Sequence, residues 1–119
     1  MPWTYSQTTG TLTYNGQHIA QGYSGYHYGL NNPEFEAQGD VGPIPRGRYR
    51  MRKIYSPHYK PPVIELVPHM HSAMGRSDFR IHGDNSEQNF TASRGCIILK
   101  KQYRLIIADS ADDMLEATR

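Results

Sequence analysis

The sequence predicts a single, mainly β domain. Nine tyrosines, eleven glycines and eight prolines among 119 residues favour short strands joined by tight turns over long helices. Thr11-Leu12-Thr13-Tyr14 and Gln17-His18-Ile19-Ala20 flank Asn15-Gly16, a pair that tolerates the positive φ required at both central positions of a type I′ hairpin. The other apolar runs are short and set among turn residues. At this length one unit covering residues 1–119 is expected, with room for a modest core but not for two.

The elements follow in order. After the hairpin comes a polar, glycine-rich loop from Gly22 to Pro33. Gly42-Pro43-Ile44-Pro45-Arg46-Gly47 then leads into a strand over Arg48–Ile54. Val63–Val67 and Phe79–His82 read as two further strands. Leu99, Tyr103, Ile106 and Ile107 fall at helical spacing, which predicts a short helix over 100–108, although Arg104–Ala108 would equally suit a strand. Repeats, linkers and low-complexity tracts are absent.

Several function classes are disfavoured at the outset. No run approaches the roughly 20 apolar residues of a membrane span. Met1-Pro2-Trp3-Thr4-Tyr5 has neither a basic patch nor an apolar core, so no signal peptide is expected. A net charge of +2 is too small to argue for nucleic acid. The single cysteine cannot form an internal disulfide, so it is either buried and inert or exposed and chemical.

That cysteine carries the most chemistry. Arg80-Ile81-His82-Gly83-Asp84-Asn85 is followed by Ala92-Ser93-Arg94-Gly95-Cys96-Ile97. A thiol becomes a nucleophile through a base, and a neighbouring imidazolium can depress its pKa. His82 is the candidate base, at the end of a strand before a turn-permitting glycine. Its other nitrogen needs an orienting partner; Asp84, a backbone carbonyl near Gly83 or a more distant side chain would serve. The amides of Gly95 and Cys96 are the natural oxyanion hole, and Ser93 is expected to fix the turn by hydrogen bonding. The bland alternative is a buried cysteine packed as a small hydrophobe beside a satisfied histidine.

His82-Gly83 with Ser93-Arg94-Gly95-Cys96-Ile97 resembles the active-site signature of the L,D-transpeptidase catalytic domain, His-Gly…Ser-His-Gly-Cys-(Ile/Val)-Arg. Gly42-Pro43-Ile44-Pro45-Arg46-Gly47-Arg48-Tyr49 is similar to that family's entry to a strand. With Tyr23-Ser24-Gly25 and the short chain, the likeness is closest to the L,D-transpeptidase-like effectors of type VI secretion systems, and covers most of residues 10–110. It implies a curved β-sheet or sandwich with one or two short helices. It implies Cys96 as nucleophile and His82 as base, supported by Gly83, Ser93 and Gly95, with Arg94, Tyr23, Ser24 and Asn85 as candidate substrate-binding residues and no cofactor. The implied reaction attacks the diaminopimelate–D-Ala amide of a peptidoglycan tetrapeptide stem. The thioester then meets water, a free D-amino acid or another stem amine.

The implied setting is a protein made in the cytoplasm and exported by a secretion machine to the periplasm of a target cell. A cognate immunity protein is the further partner expected of such an effector. Nucleic acid and membrane insertion are not expected. Two departures stand out: Arg94 replaces the second histidine, and Ile98 replaces the arginine, whose role in holding a carboxylate falls to Arg94, Arg80 or Arg76.

Two other classes compete. His69-Met70-His71 has a spacing used by zinc sites, so a zinc-dependent wall peptidase is one alternative; a non-catalytic wall-binding or phage structural module is the other. Arg46, Arg48, Arg50 and Arg52 alternate as a cationic stripe, most simply a solvated strand face. Tyr23, Tyr26 and Tyr28 either wall a groove or pack on a strand surface. Asp112 and Asp113 read as a solvated turn or cap.

Overall fold

The computed structural model describes residues 2–119. In chain order the elements are β1 (Trp3–Ser6), β2 (Thr11–Tyr14), β3 (Gln17–Gln21), β4 (Tyr23–Ser24), β5 (Gly47–Ile54), β6 (Val63–His69), β7 (Phe79–His82), β8 (Ile97–Ile98), helix α1 (Lys101–Asp109) and β9 (Met114–Thr118), with short 3-10 turns at His27–Gly29, Pro33–Phe35 and Ala73–Gly75. All nine strands join one sheet in the order β3-β2-β1-β9-β5-β6-β7-β8-β4. The mainly β, curved-sheet expectation holds.

The curvature follows from connectivity. β3 and β4 stand at opposite ends of the strand order, yet only Gly22 separates them. The sheet must therefore curl until its two edges meet at that residue. Gly22 donates to the Gly10 carbonyl at 2.8 Å, and a side chain there would strike the carbonyl oxygen of Ile98. The result is a nearly closed barrel with Trp3, Tyr5, Leu12, Tyr49, Ile81 and Leu115 among the residues packed into its core.

The hairpin forms as the sequence predicts, with Asn15 and Gly16 at φ 52° and 77°. β5, β6 and β7 form where expected. β6 runs past Val67 through Pro68 to His69, because β7 pairs only as far as Leu66 and leaves that flank free of a ladder needing the proline N–H. Residues 101–109 are helical, which settles the helix–strand ambiguity. Its buried positions are Arg104 and Ile107, whereas Ile106 is exposed.

Three strands, β1, β4 and β9, were not legible. β9 lies between β1, to which it is parallel, and β5, to which it is antiparallel. The two ends of the chain thus meet inside the sheet, a non-local pairing with little local signal. The short β4 and β8 are held by their neighbours. The arginine stripe is exposed and largely neutralised, with Arg46 on Glu36, Arg50 on Asp113 at 2.8 Å and Arg52 on Glu65. Asp112 accepts the Tyr14 hydroxyl, so the two aspartates tie the segment before β9 to neighbouring strands.

Candidate active site

Two parallel neighbours carry the site. β7 and β8 pair with Ile81 opposite Ile97 and His82 opposite Ile98. Ile81 and Ile97 are wholly buried in the core, so by alternation His82 and Ile98 face the other way. Continuing the register by one residue brings Cys96 beside Arg80, on the face of His82 and two positions along. With strands ~4.8 Å apart and a rise of ~3.3 Å per residue, the two α-carbons are about 8 Å apart, within the combined reach of a thiol and an imidazole.

His82 is 1% exposed and tightly specified. Its Nδ1 lies 2.8 Å from the Gly83 carbonyl, an acceptor only, so in the neutral ring Nδ1 carries the proton and Nε2 keeps its lone pair. The orienting partner is therefore the backbone carbonyl rather than Asp84. Tyr59, from the loop joining β5 and β6, stacks on the imidazole at 4.0 Å and 17°. The half-buried Cys96 turns its Sγ toward the Asp78 carbonyl at 3.7 Å. No hydrogen bond joins thiol and imidazole among the described residues.

Electrostatics favour a neutral resting pair. Burial is the largest influence on His82 and lowers its pKa; the Gly83 carbonyl opposes, Arg104 and Arg80 add to the depression, and Asp84 counters it. Burial also pushes the Cys96 thiol up, only partly offset by the Arg80 amide and the charges of Arg80 and Arg76. Both shifts oppose a resting thiolate–imidazolium pair, because both ionised forms lose solvation, and they leave His82 in the neutral form that a base requires.

The loop before Cys96 is locked from beneath by two buried serines. Ser93 Oγ accepts from the amides of Gly25 (2.9 Å) and Gly95 (3.1 Å) and donates to the Cys96 carbonyl (2.6 Å). Ser24 Oγ accepts from the Ile44 amide (2.9 Å) and donates to the Gly95 carbonyl (3.0 Å). Ser93 fixes the turn as expected, and Ser24 is committed to the same framework rather than open to a substrate. The Gly95 amide, proposed for the oxyanion hole, is spent on Ser93. Of that pair of donors, the Cys96 amide is the one left.

The remaining candidates are dispersed around the site. Tyr23 and Asn85 line a groove of about 1020 Å³ bordered also by Tyr59, His82, Phe90 and Arg104. The Tyr23 hydroxyl donates to Asp84 at 2.7 Å and accepts from the Ala92 amide; burial and then Asp84 push its pKa up to about 12. Asn85 donates to Thr91 at 2.8 Å. Arg94 is exposed and lies over the Tyr26 ring at 4.5 Å, while Tyr28 is exposed. Gly83 closes the turn after His82. Cys96 does not border this groove; His82 connects the two. Arg76 is occupied by the carbonyls of Glu36, Pro43, Gly42 and Arg94.

Tyr59, Phe90 and Arg104 had no motif to announce them: Tyr59 comes from the β5–β6 loop and Arg104 from α1, while Phe90 lies in the connection between His82 and Cys96. The proposed zinc pair dissolves in the structure. His71 has Nε2 on the Arg48 carbonyl (2.8 Å) and Nδ1 accepting from the Ala73 amide (3.1 Å). Among the described residues no three histidine, cysteine or carboxylate side chains form a metal-binding group.

No helix is long and apolar enough to cross a membrane among the described residues. No curated protein and no solved structure matches the chain. A family model described as the Tlde1 domain matches residues 18–117, from the second residue of β3 to the last but one of β9, and takes in every site residue above. The chain therefore belongs to the Tlde1 domain family, a family of type VI secretion effectors.

Proposed function

We propose that the protein is a cysteine acyltransferase that cuts the diaminopimelate–D-Ala amide of peptidoglycan tetrapeptide stems. The observation that carries this reading is one geometry. A thiol at the mouth of β8 and an imidazole at the end of parallel β7 share a face, and the Gly83 carbonyl leaves Nε2 as the basic nitrogen.

Because both groups rest neutral, the thiol proton moves to His82 Nε2 as Cys96 Sγ attacks the amide carbon. This attack requires the thiol to swing from the Asp78 carbonyl toward the imidazole. The oxyanion meets the Cys96 amide, a donor of a kind worth on the order of 3 kcal/mol. Cleavage of the C–N bond then passes the proton from Nε2 to the departing D-Ala amine, leaving a thioester on Cys96. Attack by water gives L,D-carboxypeptidase activity, and attack by a D-amino acid gives exchange. Either outcome consumes the tetrapeptide donor needed for wall cross-linking, which fits an antibacterial effector acting in a target-cell periplasm, with an immunity protein guarding the producer.

The test is mass spectrometry of tetrapeptide muropeptides incubated with the protein, with and without excess D-Met, alongside Cys96→Ala. Loss of D-Ala or its replacement by D-Met, only with the thiol present, is expected. Unchanged tetrapeptide in every tube, or cleavage that survives Cys96→Ala, overturns the reading.

A further inference from the structure

Arg104 has no assigned role, and its environment is unusual for a guanidinium. It is 5% exposed, its Nε is buried without a hydrogen-bond partner, and Nη1 reaches only the Pro62 carbonyl at 3.3 Å. No carboxylate forms an ion pair with it among the described residues. A buried cation is costly to leave uncompensated. The side chain borders the groove and packs against the turn after His82, since a Cβ added to Gly83 would lie 3.0–3.3 Å from its guanidinium.

The helix that carries Arg104 begins at the same place. Lys100 is the N-cap and supplies no side-chain acceptor, and the first turn holds no acidic residue. The amides of Tyr103 and Arg104 bond to the Lys100 carbonyl, so those of Lys101 and Gln102 lie ahead of the first intrahelical bonds. Two lysines at this end have the wrong sign for the helix dipole, a local choice that weakens the helix. Lys100, Lys101 and Arg104 all border the groove, as does Lys60 from the facing loop. Asp84, the groove's carboxylate, is bonded to the Tyr23 hydroxyl and the Asn85 amide. Unpaired cations on one groove wall, beside a helix start whose first amides precede the intrahelical bonds, define a receptor for an anion.

We propose that Arg104, with the Lys101 and Gln102 amides and the Lys100 and Lys101 ammonium groups, forms a carboxylate subsite for the leaving D-amino acid. This assignment rests on the acyl-transfer reading above. In an α-amino acid the carboxylate is two bonds from the amine that His82 protonates, so its receptor must adjoin His82; Arg104 does. The consequence is selection for a free C-terminal carboxylate on the residue being released.

The test uses the full chain carrying Cys96→Ala, 15N-labelled, titrated with N-acetyl-D-alanine and with N-acetyl-D-alaninamide. The acid should produce saturable shifts at the Arg104 Nε–H and the Lys101 and Gln102 amides, and the amide none. Adding Arg104→Gln should weaken acid binding at least tenfold, with Arg104→Lys intermediate. Equal responses to acid and amide, or unchanged acid binding in Arg104→Gln, overturn the subsite; the acid–amide comparison stands even if the arginine variants fail to fold. Turnover separates the two proposals. A tetrapeptide and its C-terminal amide cut with equal kcat/KM would sink the subsite and leave acyl transfer intact. Selective acid binding with an uncut tetrapeptide would do the reverse.

Discussion

Gly95→Ala is the sharpest perturbation of the loop that presents the thiol. Gly95 has φ +131°, and a Cβ there would lie 2.5 Å from Arg76 Nη2 and 3.1 Å from Phe79 Cε1. Arg76 cannot simply swing away. Its Nη2 donates to the Gly42 and Arg94 carbonyls at 3.0 and 3.1 Å, and its Nη1 to those of Glu36 and Pro43 at 2.7 and 2.8 Å. A non-glycine residue in that backbone region costs about 1–3 kcal/mol. Losing one bond to a charged donor adds about 1.5–3 kcal/mol. The expected loss of stability is therefore about 2.5–6 kcal/mol.

Gly16→Ala is the matched control, because Gly16 has φ +77° with nothing within 4 Å of the added carbon; it should cost about 1–2 kcal/mol. Urea unfolding of both variants measures the difference. Displacing the loop by ~1 Å also predicts a fall of about 100-fold in kcat, read on the tetrapeptide. If Gly95→Ala were as stable as Gly16→Ala, the argument that Arg76 braces the cysteine loop would be wrong.

Two pH-dependent outcomes follow from the buried charges. His82 must be neutral to accept the thiol proton, and its folded pKa lies below the ordinary 6.5. The acid limb of kcat/KM should therefore fall below pH 6.5, and for the same reason the fold should lose stability as pH drops under that value, where the unfolded chain takes up the proton first. Removing the stacked ring in Tyr59→Ala relieves burial and should move both the limb and the His82 NMR titration upward; a limb that stays put or moves down contradicts the burial account. Burial alone would raise the Glu36 carboxyl, but the Arg46 side chain and amide and Gln7 outweigh it and hold it from 4.5 down to about 2. Its stabilisation is present above pH 4.5 and lost as pH falls toward 2. At about 1.4 kcal/mol per pH unit that difference is worth up to about 3 kcal/mol. Glu36→Gln should flatten the acid limb of a stability–pH curve by a comparable amount, and an unchanged limb would discount the pair.

Legibility tracked the range of the interactions involved. Asn15-Gly16, β5, β6 and β7 declared themselves through residues next to one another in the chain, because turn chemistry and strand alternation are local. The cysteine loop was legible for a similar reason: Ser93, Gly95 and Cys96 sit within four positions, and Ser93 does brace that turn. What the loop does to each group was not legible. The Gly95 amide is occupied by Ser93, a second serine from β4 locks the loop from beneath, and the orienting partner of His82 is the Gly83 carbonyl.

The sequence by itself determined the mainly β character and the Asn15-Gly16 hairpin turn, and it singled out Cys96 and His82 as the candidate chemical centre, since each depends on composition or short spacing. Only the tertiary structure decided that Gly22 closes the sheet on itself and that β9 enters between β1 and β5. It alone stacked Tyr59 on His82, buried thiol and imidazole so that both shift against ionisation, and left Arg104 buried without a counter-ion among the described residues. Those outcomes depend on desolvation and on contacts between segments far apart in the chain, which spacing along the sequence does not encode.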